Sequence, residues 1–467
     1  MAAHRAAYNT PTHRSRPRGQ RARSRARLPA LPHSGNVTCF SLANGVNLYV
    51  YANPSSPSVV VNGYLEVGAL DEPSATKAGL AGFVADCLMR GTQRRTYAQI
   101  YEQIEAVSAS LSFCSGMFTT SFFAKSLAED LPLMLDLLSD VIRCPTFPES
   151  EVAKERAEWL TDLHERATST SAMCGLVFNA LCYPEDHPFH YATDGYPETA
   201  QAITLDDVRQ FHATFYAPAG MAIVIVGAVK AEQAHDLVTA HFADWSAARP
   251  ARSVNLEVPP IAERRRKHVH IPGKSQTAML LGRPGPSQLD PQWLACTLMN
   301  SVFGQFGLYG RLGERIRKEE GLVYHIGSRF EGGLGPGAWN VYAEVHPGTV
   351  DRVVEIVRAE MRRIREHKVK PAELDDNKAY FVRALPLRME TNEGIASQIL
   401  NMVRFRRGLD WLLEYPDRVY AITAADVQAA AQRWLDPDHY VLATAGPEVE
   451  NGASSAEGFS VHVDDRR

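Results

Sequence analysis

The sequence predicts an α+β protein of two homologous domains, each a mainly antiparallel sheet with helices packed on it. The first observation is an internal repeat, in which residues 203–227 match residues 422–446 at a constant offset of 219. Each copy begins with Ile-Thr, continues through an amphipathic helix to an aromatic residue, passes a proline and ends as an apolar strand at a glycine. The second observation is that hairpin-like strand pairs alternate with long amphipathic helices, which favours helices on one face of an antiparallel sheet.

Individual elements follow from hydrophobic periodicity. The strands predicted in the first copy are 59–67 and 118–126, and the helices are 80–89, 97–107 and 129–141. Thr204 and Thr423 each stand three residues before an aspartate, a capping-box arrangement that begins a helix.

The proline-rich stretch 246–262 is predicted to be the linker between the domains. The N-terminal domain then covers residues 36–245 and the C-terminal domain residues 263–447, with a polar tail at 448–467. Residues 1–35 carry eight arginines and no acid, and we expect a disordered basic arm there. An organellar transit peptide is the other interpretation of this arm.

Charge and cysteine usage narrow the class of protein. Outside the arm the chain has 41 basic and 53 acidic residues, which argues against a nucleic-acid-binding body. The seven cysteines are widely spaced and form no CxxC pair, so we expect reduced thiols in a cytosol-like compartment. No apolar run is long enough for a membrane span. We therefore expect a cytoplasmic protein, or a mitochondrial one if residues 1–35 are a transit peptide.

Motifs that would hold a metal or a nucleophile are missing from the sequence. There is no HExxH, HxxEH, CxxC, GxSxG or P-loop pattern. His187 and His190 lie in a proline-containing stretch and are expected to be solvated loop residues. His268 and His270 follow a run of four basic residues that is expected to be solvated as well. We expect no metal or other cofactor in this chain.

The stretch GLAGFVADCLMRGT, residues 79–92, resembles the insulinase/pitrilysin family of inverted-zincin metallopeptidases, in particular its short two-domain members similar to mitochondrial processing peptidase. In active members this segment carries HxxEH, with two histidine ligands and a glutamate base. Here Gly82, Ala85 and Asp86 stand at the three motif positions, and Asp162 stands where the family has its third ligand, a glutamate. The resemblance therefore implies a degenerate zinc motif that binds no metal.

A second motif of this family is present at residues 315–324, RIRKEEGLVY. The resemblance implies that Arg317 and Tyr324 bind the substrate backbone and stabilise the oxyanion. The alternative is a helix-end charge and a strand aromatic of the core. The triplet Ser112-Phe113-Cys114 stands at the family's substrate-binding edge strand, where an asparagine followed by a small residue is usual.

Together these motifs imply the non-metal-binding subunit of a heterodimeric zinc metallopeptidase. A homologous partner with HxxEH would supply the zinc, this chain would supply Arg317 and Tyr324, and the substrates would be peptides such as precursor or leader segments. One alternative is a structural subunit, like the core proteins of the respiratory cytochrome complex. Another is a stand-alone peptide-binding protein.

Overall fold

The computed structural model of the chain describes residues 31–305 and 310–448. Within these residues two β-sheets are each flanked by helices, which confirms the α+β prediction. The strands of the first sheet are β1 (Thr38–Ser41), β2 (Asn47–Ala52), β3 (Ser58–Leu65), β4 (Ser110–Ser115), β5 (Thr120–Leu127) and β6 (Ala222–Gly227). Those of the second are β7 (Arg265–His270), β8 (Thr277–Pro284), β9 (Val323–Phe330), β10 (Ala338–Val345) and β11 (Val441–Gly446).

The two sheets repeat one topology. The first has the order β1-β2-β6-β3-β5-β4 and the second β7-β11-β8-β10-β9. In each sheet one pair is parallel, β2 with β6 and β7 with β11, and the remaining pairs are antiparallel. Strands β2, β6, β3, β5 and β4 thus correspond in order to β7, β11, β8, β10 and β9, as the sequence repeat predicts. Both sheets end in an edge strand, β4 in one and β9 in the other.

Helices follow the predicted positions closely. The described helices of the first half are α1 (Leu80–Cys87), α2 (Tyr97–Ala106), α3 (Leu131–Arg143), α4 (Glu149–Thr168), α5 (Thr170–Cys182), α6 (Pro197–Ala202), α7 (Leu205–Phe215) and α8 (Ala231–Phe242). Those of the second half are α9 (Trp293–Asn300), α10 (Val350–Glu366), α11 (Pro371–Leu387), α12 (Asn392–Arg404), α13 (Trp411–Ala421) and α14 (Ala424–Trp434). Ser301–Gln305 and Gly313–Glu319 form π-helical segments.

The repeat helices α7 and α14 begin at the predicted capping boxes. The Thr204 hydroxyl accepts a hydrogen bond from the Asp207 amide, and the Asp207 carboxylate accepts one from the Thr204 amide. Thr423 and Asp426 form the same reciprocal pair. Each box satisfies backbone N–H groups that a helix start leaves without partners.

Each sheet has one face covered by a helix of the other half. Helix α5 packs on β7, β8 and β11 of the second sheet, and α12 packs on β3 and β6 of the first. The apolar cluster under α5 includes Cys174, Val177 and Phe178, and the cluster under α12 includes Ile395 and Ile399. This exchange joins the two halves through buried apolar surface rather than through the linker alone.

The linker has a fixed path across the first half. Residues 245–264 carry no helix or strand. The Arg249 guanidinium pairs with Glu66, and Arg252 donates from Nε to the Asp71 carboxylate at 3.1 Å. Arg252 also donates to the carbonyl oxygen of Phe118 at 3.2 Å.

The first described residues correct the predicted end of the basic arm. Leu31 is buried in the cluster under α12, and the Ser34 amide donates to the Asp410 carboxylate at 3.0 Å. Residues 31–35, which the sequence analysis assigned to the arm, therefore include side chains and amides packed against the body. The rest of the predicted arm, and residues 449–467 of the predicted tail, lie outside the described residues.

Asn300 organises a buried polar network where α9 meets the second sheet. Its side-chain oxygen accepts hydrogen bonds from the Ser328 hydroxyl at 2.7 Å and the Trp339 indole at 2.9 Å, and its amide donates to the Ser328 carbonyl at 2.9 Å. Asn340 on β10 is equally buried, but neither polar atom of its side chain has a hydrogen-bond partner in the described part of the chain.

We predict opposite outcomes for these two asparagines. Asn300→Ala leaves the Ser328 and Trp339 donors buried without an acceptor, so the free energy of unfolding in urea should fall by about 3 kcal/mol. Asn340→Leu removes two unsatisfied polar atoms at similar volume and should not lower it. An equal loss of stability in both variants would contradict this assignment.

Candidate functional site

Helix α1 carries the three positions that the sequence resemblance aligned with a zinc motif. Gly82 is half-buried, Ala85 is buried and Asp86 reaches the surface. The helix begins after Gly79, whose φ of +92° favours glycine. The Glu72 carboxylate accepts hydrogen bonds from the amides of Gly79 at 3.1 Å and Ala81 at 3.0 Å, and so caps the helix.

Helix α4 lies against α1 and carries the acids of the expected third-ligand segment. Glu155 forms an ion pair with Arg90, and Glu158 pairs with the same guanidinium at 2.7 Å. Arg90 also lies 5.0 Å from the centre of the Tyr97 ring. Asp162, one turn further along than Glu158, is exposed. The guanidinium of Arg90 therefore neutralises the carboxylate of Glu155 between α1 and α4.

Three carboxylates influence one another between α1 and α4. Asp86 borders solvent on one side, but burial by the surrounding protein, followed by repulsion from Glu155, raises its pKa to about 6. Asp162 adds to the repulsion, and Arg90 opposes it. Burial raises the pKa of Glu155 as well, against the attraction of Arg90. The cluster therefore disfavours further negative charge.

The residues at this place do not fit a zinc ion. Catalytic zinc takes about three protein ligands, usually histidine with a carboxylate. The two motif histidine positions hold Gly82 and Asp86, and the nearest carboxylate, Glu155, is already paired with Arg90. Within residues 31–305 and 310–448, no group of three histidine, cysteine or acidic side chains is placed to hold a metal ion.

The triplet Ser112-Phe113-Cys114 lies on β4, the edge strand next to α1. It pairs on one side with Phe123, Phe122 and Ser121 of β5. Ser112 and Cys114 point to an exposed face, and Phe113 is half-buried. The other backbone edge of β4 pairs with no described strand, the arrangement that lets an extended peptide add to a sheet.

The second motif lies at the other edge strand, β9. Arg317 belongs to the π-helical segment Gly313–Glu319. Gly321, with φ of +65°, follows that segment, and Tyr324 is the second residue of β9. The chain thereby turns Arg317 back over Tyr324, with the guanidinium carbon 4.7 Å from the ring centre. Tyr324 is 81% exposed.

A β-bulge explains this exposure. The register pairs Ala343 with Ile326 and Val345 with Val323, so Tyr324 and His325 together oppose the single residue Glu344. A bulge of this kind turns consecutive side chains toward one face, and such bulges are common beside active sites. Val323 and Ile326 stay in the core, while Tyr324 and His325 are exposed.

Tyr324 borders a cavity of about 530 Å³ between α5 and strands β8, β9 and β10. His325 stacks on Tyr342 with ring centres 5.6 Å apart, and the Arg329 guanidinium lies 5.2 Å from the centre of the same ring. Neither His325 nor Arg329 was predicted from the sequence. One feature of the sequence could have indicated the bulge. The apolar residues Val323 and Ile326 are three positions apart, whereas successive core residues of a regular strand are two apart.

A neighbouring cavity of about 500 Å³ lies where the hairpin tips of the two sheets meet. Phe118, next to β5, and Gly335, between β9 and β10, come together there. Glu331 from the second half and Arg166 from α4 also line this space. The two cavities share Gly175 of α5 in their walls, so they lie next to each other along that helix.

The histidines expected in solvent are in fact packed. His187 is buried, accepts a hydrogen bond from the Phe189 amide at 3.1 Å and stacks on Tyr183. His190 Nδ1 lies 2.9 Å from the Tyr183 carbonyl oxygen. His268 is half-buried on β7, where its ring contacts the Thr444 hydroxyl at 3.0 Å. The expectation that His187 and His190 are solvated is wrong, because the tertiary packing of their loop was invisible to local patterns. Beside His268 it was the basic run 264–267 that was expected in solvent, and its three arginines are exposed.

The raised pKa of Asp86 makes a prediction about stability. The pKa of Asp86 is about 6 in the folded chain, whereas that of an ordinary aspartate is 3.8. The folded state therefore binds the proton more tightly than the unfolded state does. This contribution to the free energy of unfolding is present at low pH and is lost as the pH rises toward 6. Asp86→Asn should therefore exceed wild type in free energy of unfolding at pH 7.5 and match it near pH 4. Asp376→Asn, an exposed change on α11, is the control. A destabilised Asp86→Asn variant at pH 7.5 would contradict the assignment.

The missing ligands make a prediction about metal. Histidines at positions 82 and 86 would lie one turn apart, and Asp162 is close enough to Asp86 to interact with it electrostatically. A Cβ atom added at Gly82 would have only the Thr193 carbonyl oxygen within 4 Å, at 3.6 Å. Elemental analysis after dialysis should find no stoichiometric zinc in the wild-type chain and one zinc in the Gly82→His, Asp86→His double variant. Stoichiometric zinc in the wild-type chain would contradict the prediction that these residues bind no metal.

Comparisons with known proteins agree with this architecture. The insulinase (peptidase family M16) model matches residues 49–181, and the model described as the peptidase M16 inactive domain matches residues 202–381. A relative named uncharacterized zinc protease from Mycobacterium leprae is 27% identical over 424 residues, covering 89% of this chain and 92% of that protein. A probable mitochondrial-processing peptidase subunit beta from Arabidopsis thaliana is 23% identical, covering 87% of this chain and 78% of that protein.

Solved structures share the fold. The peptidase M16 inactive domain from Pseudomonas fluorescens has a TM-score of 0.82 at 22% identity, covering 89% of this chain and 98% of that one. A protease from Helicobacter pylori has a TM-score of 0.82 at 18% identity, covering 89% of this chain and all of that one. The matched family models, together with the shared two-sheet fold, show that the chain belongs to the insulinase family of peptidases, M16.

Proposed function

We propose that this chain is the zinc-free subunit of a heterodimeric M16 metallopeptidase that cleaves peptides such as precursor or leader segments. A homologous partner subunit carries HxxEH and holds the zinc. This chain contributes Arg317 and Tyr324. The proposal includes a cytoplasmic location for the pair, and a mitochondrial one if residues 1–35 are a transit peptide.

The observation that carries the proposal is the contrast between the two motifs. At α1 the ligand positions hold Gly82 and Asp86, and Arg90 neutralises Glu155. At β9 the Arg317–Tyr324 pair is held together, 4.7 Å apart, beside a cavity. A protein with no role in peptide cleavage would not require an exposed tyrosine at a β-bulge. This contrast favours a chain that has lost the metal but kept the donors.

The chemistry of the pair suits an oxyanion. The Tyr324 hydroxyl donates one hydrogen bond, and the guanidinium of Arg317 has several N–H donors and a permanent positive charge. When water attacks a peptide carbonyl, negative charge develops on its oxygen, and fixed donors aimed at that oxygen lower the barrier. The stacked guanidinium also limits the rotation of the Tyr324 ring, so less freedom is lost in the transition state.

Two further features support peptide binding. The cavity between α5 and β8–β10 is about 530 Å³, a size suited to a few side chains. Strands β4 and β9 both end their sheets, and each has a backbone edge that pairs with no described strand and could accept an extended chain. The Arabidopsis relative is named as a probable subunit of a processing peptidase. That name is in keeping with a chain that acts in an assembly.

A structural subunit remains the second candidate, and the motif at α1 favours it. The loss of both imidazoles and the pairing of Glu155 with Arg90 are what a chain retained only for assembly would show. In that case Arg317 and Tyr324 are a surface pair without a substrate. The two candidates differ in what happens when the pair is removed.

The test is peptide cleavage by the purified heterodimer, reconstituted with the HxxEH relative from the same source. Arg317→Ala should lower kcat about 100-fold, as loss of an oxyanion donor typically does, and Tyr324→Phe should also lower it strongly. Neither subunit should cleave alone. Because Tyr324 is exposed, its loss should leave assembly and the thermal unfolding midpoint unchanged.

Matched controls are available on the same surfaces. Arg315→Ala removes a guanidinium two residues away that pairs with Glu319, and Tyr420→Phe removes another exposed phenol, on α13. Both controls should keep the wild-type rate. Unchanged cleavage in Arg317→Ala and Tyr324→Phe would reject the proposed roles and favour the structural subunit.

A further inference from the structure

A separate cavity of about 520 Å³ lies in the second half, enclosed by α9, α11, α12 and α13. It shares no described lining residue with the cavities beside α5. Its walls combine aromatic side chains with two guanidinium groups, and the residues used below are Gln288, Trp293, Arg388, Arg407, Trp411 and Tyr415. Neither the family motifs nor the proposed peptidase role uses this space.

The two guanidinium groups have no carboxylate partner in the described part of the chain. Arg407 is half-buried, and its Nη2 donates to the side-chain oxygen of Gln288 at 2.9 Å. Arg388 is exposed at the rim. Most other arginines of this half form ion pairs, as Arg311 does with Glu373 and Arg433 does with Asp290. A half-buried guanidinium that contacts only a neutral amide and the rings of Phe405 and Trp411, with no carboxylate in the described part of the chain, leaves positive potential inside the cavity.

The backbone is bent to place Arg407. After α12, Arg406 has φ of +53°, a conformation that costs energy for a residue with a side chain, and Gly408 has φ of +78°. The Arg407 amide donates to the Met402 carbonyl at 2.9 Å, which closes the turn. As a result Arg406 points to solvent, whereas Arg407 lines the cavity.

Aromatic rings form the other wall. The Arg407 guanidinium carbon lies 5.3 Å from the centre of the Trp411 ring. Tyr415 lies close enough to Arg388 and Arg407 to interact electrostatically with both. Trp293 of α9 also lines the cavity. Aromatic walls bind planar apolar groups, and a guanidinium fork binds a carboxylate in two-point fashion.

We propose that this cavity is a binding site for a small aromatic carboxylate, a ligand with one planar apolar group and one carboxylate. The carboxylate binds Arg407, with Arg388 at the rim, and the ring packs against Trp411 and Trp293. A free aromatic acid and a C-terminal phenylalanine of a peptide share this chemistry. The site needs this chain alone, so it is independent of the proposed partner and of Arg317 and Tyr324.

The experiment uses N-acetyl-L-phenylalanine as the probe, titrated into the full chain and followed by calorimetry and by quenching of tryptophan fluorescence. N-acetyl-L-phenylalaninamide, which lacks the charge, is the matched ligand control. We expect saturable binding of the acid, and binding of the amide at least about tenfold weaker, as loss of a charged hydrogen bond implies. A peptide ending in Ala-Ala-Phe, tested beside the free acid, identifies which source binds better.

Arg407→Gln and Arg388→Gln should each weaken binding of the acid, the first by about tenfold. Arg406→Gln, the exposed neighbour, should not change it. If Arg407→Gln unfolds, the exposed Arg388→Gln variant still tests the site. Equal affinity for acid and amide, equal loss in Arg406→Gln, or no saturable binding would overturn the proposal.

Discussion

The exchange of helices between the two halves is the constraint on which the rest of the structure depends. Helix α5 follows the first sheet's hairpins in sequence but covers the second sheet, and α12 covers the first in return. Each sheet has an apolar second face, since residues such as Leu280 and Val224 are buried there. Neither face could be left in water without exposing a large apolar patch, so the halves fold onto each other. The cavities beside α5 are a consequence, because residues of that helix line both of them.

Duplication put one edge strand at the end of each sheet, and the two copies then diverged. Beside β4, helix α1 has Gly82 and Asp86 at the positions where the resemblance implies histidine ligands, and Arg90 neutralises Glu155. At β9 a one-residue bulge and the turn at Gly321 bring Arg317 over Tyr324. In the proposed function, this chain therefore contributes carbonyl binding from its second copy and no metal chemistry from its first. This division is the physical reason for proposing a partner subunit.

The features readable from sequence were those set by local periodicity and capping. Thr204 and Thr423, with an aspartate three residues on, located the repeat helices. The Arg317–Tyr324 pair was located by the resemblance of residues 315–324 to a family motif. The helix exchange was not readable, because nothing local tells α5 which sheet it will cover. The bulge at Tyr324 and His325 was not predicted, because it depends on how β9 pairs with β10. Burial of His187 was missed for a related reason, since its partners Tyr183 and Phe189 surround it only in the folded loop.

None of the described helices is both long and apolar enough to cross a membrane. The most direct test of the central claim is a zinc count on the heterodimer, purified with its HxxEH partner and compared with this chain alone. We predict one zinc ion per heterodimer, and we expect it to be lost when the partner's motif histidines are replaced. The isolated chain should contain no zinc. Two zinc ions per heterodimer, or stoichiometric zinc in this chain by itself, would contradict it.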